Sequence, residues 1–219
     1  SREVYETIRR AWYLHERRKR EQFAAQLNKK RALLDEAVRD LRDRMAQERR
    51  IAHLARNDSL TGLHNRRSFN RQFERLWRQA QRDGKSLALL LCDIDHFKAY
   101  NDSYGHQAGD VALQRVGALI QQAARRPLDM GVRLGGEEFA LLLFDIAADE
   151  AVRRAEALRQ ALEQAGISHR ESASGKVLTM SVGVVWLSPD SQPQLSQLYE
   201  QADRALYQAK ASGRNQVSV

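Results

Sequence analysis

Arg133-Leu134-Gly135-Gly136-Glu137-Glu138-Phe139 combines what chemistry on phosphates needs. Glu137 and Glu138 are adjacent carboxylates, hard oxygen donors of the kind that hold Mg²⁺. Gly135 and Gly136 leave bare backbone beside them, which a phosphate can approach closely. Apolar runs, Met130 to Leu134 and Phe139 to Phe144, flank the glycines, so the stretch reads as a β-hairpin with acids at the mouth of a strand. A solvated hairpin tip with two surface acids is the competing reading, and this stretch alone does not separate the two. A second acidic cluster follows Ser86 to Cys92, whose unbroken apolar run marks a strand buried on both faces. That run ends in Asp93-Ile94-Asp95-His96-Phe97-Lys98, and the carboxyl end of a central strand is where α/β sheets place ligands and metals. Asn101, Asp102, Gly105, His106 and Asp110 follow in a short loop and helix start.

These clusters must be positioned by regular elements. Residues 1–56 contain no Pro or Gly and predict one long helix. Its apolar residues recur at heptad spacing, Ala24, Val38, Met45 and Ala52 on one line and Leu27, Leu34, Leu41 and Ala55 on the next, interrupted by Arg31 and Glu48. Such a stripe predicts a parallel coiled-coil dimer, the alternative being a lone helix packed on its own domain. Asp58 to Leu63 reads as a turn, and Asn65 as the cap of a helix over roughly 66–82 closed by Asp83-Gly84. Further helices are expected from about Gln107 to Ala124, Asp149 to Ala165 and Leu195 to Ala211. A strand is expected over Lys176 to Trp186, a loop at Pro189 and Pro193, and a short edge strand at Gln216 to Val219. The order is that of an α/β (α+β) domain over 57–219, its sheet containing antiparallel strands with helices packed on it.

The net charge of +8 over 219 residues is unevenly spread. Residues 1–56 hold 16 Lys/Arg against 9 Asp/Glu, and residues 57–219 hold 20 against 19. A nucleic-acid binder would carry its basic excess on the folded domain, so nucleic acid is not an expected partner. The basic block His15 to Arg20 reads as a solvated helix face or as a patch facing lipid or phosphate. No run approaches the ~18–20 apolar residues of a membrane span. The lone Cys92 allows no intrachain disulfide and fits a reducing, cytoplasmic setting. The opening Ser1-Arg2, without a Met, fits a fragment and leaves an upstream sensor or membrane segment open.

Four motifs, the hairpin among them, stand in one order: Asp58-Ser59-Leu60-Thr61-Gly62-Leu63 with Asn65-Arg66-Arg67; Asp93 to Lys98 with Asn101-Asp102, Gly105-His106 and Gly109-Asp110; Arg133 with Gly135 to Phe139; and Tyr207 to Lys210 with Gly213-Arg214-Asn215. Together they resemble the GGDEF diguanylate cyclases over about 160 residues, with Glu137 in place of the Asp of the name motif. The resemblance implies a five-stranded central sheet with flanking helices, related to nucleotide cyclases and the polymerase palm. It implies condensation of two GTP into cyclic di-GMP with release of two pyrophosphates. Asp93, Glu137 and the Ile94 carbonyl would hold Mg²⁺, or Mn²⁺ in its place. Asn101 and Asp110 would read guanine. Lys98, Lys210 and Arg214 would clamp the β- and γ-phosphates, and the backbone N–H groups of His96 and Phe97, with bare Gly135 and Gly136, would cradle phosphate oxygens. Glu138 would activate the 3′-hydroxyl or hold a second metal. Arg126 and Asp129, which stand five residues short of Gly135, match the family's inhibitory product site, with Arg153, Arg154 or Arg159 as its second arginine.

Singly each residue has a plainer role: Asp93 or Asp110 as a helix acid, Lys210 and Arg214 at a helix C-terminus. Each domain of such an enzyme holds one GTP, so two must face each other, and the N-terminal coiled coil would supply that proximity. A silent cyclic di-GMP-binding module and a coiled-coil scaffold whose basic helix meets acidic lipid or a partner are the competing functions.

Overall fold

The computed structural model describes residues 2–172, 176–191 and 195–219, so Pro193 lies outside the described residues. The chain divides into two compact units, Ser1–His53 and Leu54–Val219. Helix α1, Arg2–Arg56, runs unbroken for 55 residues, as a stretch without Pro or Gly allows. Leu27, Leu34, Val38, Leu41 and Met45 of its heptad stripe are all exposed. Among the described residues no helix is long and apolar enough to cross a membrane.

In the second unit, β1 (His64–Asn65) leads into α2 (Arg66–Asp83), whose N-cap Asn65 accepts from the Ser68 amide. Then come β2 (Leu87–Ile94), α3 (Phe97–Tyr104), α4 (His106–Ala123), β3 (Met130–Gly135), β4 (Glu138–Phe144), α5 (Ala148–Gln164), β5 (Met180–Leu187), α6 (Leu195–Ala211) and β6 (Val217–Ser218). The sheet has the order β1-β3-β4-β2-β5-β6. β2 is central and antiparallel to both neighbours, which is why it is apolar on both faces. Leu87, Leu89 and Leu91 meet Phe69, Phe73 and Leu206 from α2 and α6. Ala88, Leu90 and Cys92 meet Val116, Ile120 and Leu158 from α4 and α5. Period-two alternation thus feeds two separate cores from one strand.

Three details depart from the sequence expectation. The sheet has six strands, not five: the expected edge strand is present as β6, and the two-residue β1 joins the opposite edge, parallel to β3. Phe97–Tyr104 is a helix rather than a loop, begun at left-handed His96 and ended at Gly105, φ +85°. β5 starts at Met180 rather than Lys176, because Lys176 has φ +64° and cannot lie in a strand.

Candidate functional site

The glycine pair makes the turn that the sequence suggested. Gly135 pairs with Glu138 across the β3–β4 hairpin, and a register shift after Arg133 twists the tip. Gly136 has φ +53°, a conformation that a residue with Cβ adopts only at a cost. The hairpin brings its acids to β2: Glu138 stands directly opposite Asp93, and the Ile94 amide donates to the Glu137 carbonyl at 3.4 Å. Asp93 and Glu138 share the sheet face that α2 and α6 cover. Each meets a cation from a different helix, Lys210 Nζ of α6 at 2.8 Å from Asp93 Oδ2 and Arg66 Nη2 of α2 at 3.6 Å from Glu138 Oε2. Burial pushes the Asp93 carboxyl above the usual carboxylate range; Lys210 opposes this, and Glu137 and Glu138 add to it. Three carboxylates near one strand end thus meet two cations, Lys210 and Arg66.

The donor types are those of a hard divalent ion. Among the described residues no three His, Cys, Asp or Glu side chains converge on a metal position. Mg²⁺ is commonly held by one or two carboxylates with the remaining ligands from water and substrate phosphates, and Asp93, Glu137 and the Ile94 carbonyl are a set of that size.

Asn101 lies on α3 and Asp110 one residue beyond Gly109 in the first turns of α4. The Asn101 Oδ1 is buried without a partner, and a Cβ at Gly109 would collide with it, so Gly109 is what lets the two helices close around that amide. An orphaned acceptor beside an exposed carboxylate suits a base with several N–H groups. Lys98 is exposed in the first turn of α3, four residues after β2 ends. His96 is left-handed, φ +54°, and its carbonyl lies 3.2 Å from the His169 Nε2. Arg214 follows α6, and its amide donates to the Ala209 carbonyl at 3.0 Å.

Arg126 and Asp129 stand at the other end of β3, about 20 Å from the hairpin tip by strand rise. They do not pair through their side chains. Arg126 Nη1 donates to the carbonyls of Phe144 and Asp145 at 3.1 and 2.7 Å, and Asp129 accepts from the amides of Arg126 and Phe144. Arg153 and Arg154 line a groove between α4 and α5 with Arg125. Arg159 does not join them; it binds Glu156, Glu163 and Asn215.

The sequence reading assigned no role to several residues that hold this geometry. Arg133 donates from Nε and Nη2 to the Gly136 carbonyl, at 3.0 and 2.9 Å, and from Nη1 to Asp58 Oδ1 at 3.0 Å. Asp95 is 1% exposed and accepts from Thr179, Ser181 and the Asn215 amide. Asp95 meets Thr179 and Ser181 across 84 and 86 residues, so no local spacing signals them.

Residues 55–216 match the family described as diguanylate cyclase, GGDEF domain. The chain belongs to the GGDEF family. A crystal structure of the coiled coil and GGDEF domain of DgcB from Caulobacter crescentus, in complex with c-di-GMP, aligns with TM-score 0.75 and 30% identity, over 85% of this chain and 97% of that one. The structure of the active GGEEF domain of a diguanylate cyclase from Vibrio cholerae aligns with TM-score 0.63 and 31% identity, over 71% and 96%. An uncharacterized signaling protein of Caulobacter vibrioides is 39% identical over 184 residues, 81% of this chain and 22% of its own length. The chain spans less than half the length of the first curated relatives that it matches. The fold is thus the GGDEF fold, preceded by a long helix as in the DgcB structure.

Proposed function

We propose that this GGDEF chain is a diguanylate cyclase, joining two GTP into cyclic di-GMP with loss of two pyrophosphates. The observation that carries this is the cross-strand pairing of Asp93 with Glu138, Glu137 at the turn between them and Lys210 on Asp93. Asp93, Glu137 and the Ile94 carbonyl would hold Mg²⁺, or Mn²⁺. Such an ion neutralises triphosphate charge and polarises the α-phosphate when bound. Lys98, Lys210 and Arg214 take the β- and γ-phosphates, while the His96 and Phe97 amides and bare Gly135-Gly136 face phosphate oxygens. Asn101 and Asp110 read guanine: a carboxylate accepts from guanine N1–H and the exocyclic amine but repels the unprotonated N1 of adenine. Glu138 accepts the proton as the 3′-oxygen attacks the facing nucleotide's α-phosphorus and pyrophosphate leaves.

One domain holds one nucleotide, so two copies meet. The exposed stripe of α1 supports a homodimer through a coiled coil, which sets the approach of the two sites. Product feedback through Arg126 and Asp129 extends the reading, with Arg153 or Arg154 as second arginine; the c-di-GMP bound in the DgcB structure supports a ligand of that kind. The activity is assigned to the cytoplasm, as part of a longer protein with an upstream input. Incubation with GTP and Mg²⁺, followed by nucleotide chromatography, tests the proposal. Cyclic di-GMP from wild type but not from Glu138→Ala is the expected result. A silent binding module would retain cyclic di-GMP and leave GTP intact.

A further inference from the structure

Asp95 lies two residues beyond Asp93 but faces different partners. Its Oδ1 accepts from Ser181 Oγ at 2.7 Å, and its Oδ2 from Thr179 Oγ1 at 2.8 Å and the Asn215 amide at 3.0 Å. The Asn215 side chain is tied as well: its Oδ1 accepts from Arg159 Nη1 at 2.6 Å and its Nδ2 donates to Glu163 Oε1 at 2.9 Å. The turn after α6 is therefore gripped by the sheet on one side and α5 on the other.

That turn carries unusual backbone. Gly213, Arg214 and Asn215 have φ of +116°, +64° and +46°. One left-handed residue after the last helical turn ends a helix, and Gly213 meets that need. Two further left-handed residues with side chains, one of them an Arg, are strained and persist only where neighbours dictate them. The Arg214 amide on the Ala209 carbonyl is the ordinary bond of a glycine-ended helix. What the two further left-handed residues achieve is placement: they turn the chain so that the Asn215 amide reaches Asp95, while Lys210 at the same helix end holds Asp93.

We propose that Asp95 and Asn215 form a latch that positions Arg214 for the triphosphate of the nucleotide. The inference rests on the nucleotide reading above. Asp95 and Asn215 act through Arg214 and are positioning residues.

The test uses the full chain, 3′-deoxy-GTP and GMP as probes with Mg²⁺, and a thermal melt of each variant. Asn215→Ala keeps the amide but disfavours the positive φ; it should weaken 3′-deoxy-GTP about tenfold while GMP stays within about twofold. Asn215→Gly accepts the positive φ but loses the ties to Arg159 and Glu163, so it should weaken 3′-deoxy-GTP less than Asn215→Ala does and leave GMP within about twofold. Asp95→Asn should weaken the triphosphate selectively; if it does not fold, the Asn215 pair decides. Unchanged triphosphate affinity in Asn215→Ala, equal loss of both probes, or equal loss in the Ala and Gly variants overturns the latch. A wild type that does not prefer 3′-deoxy-GTP to GMP overturns the nucleotide reading, and the latch with it.

Discussion

Arg133 and Asp58, 75 residues apart, meet at 3.0 Å, and the same guanidinium grips the Gly136 carbonyl. The loop that follows α1 is thus fastened to the tip of the Gly-Gly-Glu-Glu hairpin by one planar fork. Thr61 donates to the same Asp58 oxygen from both amide and hydroxyl, so the contact is built from both sides. Replacing Arg133 with Ala should lower turnover by about tenfold or more, since a charged hydrogen bond is worth ~1.5–3 kcal/mol. Lys at 133 should recover little, because a point charge cannot span both partners. Steady-state rates with GTP and Mg²⁺ check this; a Lys variant equal to wild type would count against it.

The same pair has a pH signature. Burial raises the Asp58 carboxyl, but hydrogen bonds from Thr61 and Arg133 and the Arg133 charge outweigh it, and the net pKa is lowered. An acid whose folded pKa is depressed stabilises the fold above its unfolded value of 3.8, and that stability is lost as pH falls through the folded value. Asp58→Asn should therefore melt lower than wild type near neutral pH, with the difference shrinking on acidification below about pH 4. A melting difference that is flat with pH would contradict it.

Polar replacement of Leu34 and Leu41 together should reduce specific activity at low protein concentration and spare it at high concentration. Both side chains are exposed, so the change removes no core contact. Dilution series with light scattering provide the measurement, and a rate per subunit that ignores dilution in both proteins speaks against dimerisation through α1.

Arg126→Ala should relieve inhibition by added cyclic di-GMP. It should also cost about 1 kcal/mol of stability, because its side chain bonds the Phe144 and Asp145 carbonyls. Inhibition curves paired with denaturant melts separate the two effects; full feedback in the variant would remove Arg126 from the product site.

Cys92 is fully buried in β2, and burial pushes its thiol up to about 12. Alkylating reagents at pH 8 should leave it untouched in the folded protein and modify it after unfolding. Rapid labelling of the native chain, followed by mass spectrometry, would refute this.

Much of this protein was legible in its residues because the signals are local. The hairpin follows from two glycines between apolar runs, and the buried strand follows from the run ending at Cys92. Asn65 and Gly84 cap α2 as their types predict. The order of the motifs along the chain is that of its family. What stayed hidden depended on partners distant in sequence. Arg133 could have been any surface arginine until Asp58 and Gly136 closed around it. Asp95, in a run of obvious acids, proved to be a buried acceptor for β5 and the turn after α6.

The amino-acid pattern by itself determined the hairpin acids, the family and the longer helices and strands, but not α3 or β1, since periodicity, caps and turn residues act over a few positions. Only the tertiary structure decided that Glu138 faces Asp93, that Lys210 meets the same carboxylate, and that Arg126 and Asp129 spend their side chains on the backbone at the far end of β3. Register and burial, which no short stretch encodes, set which charges meet.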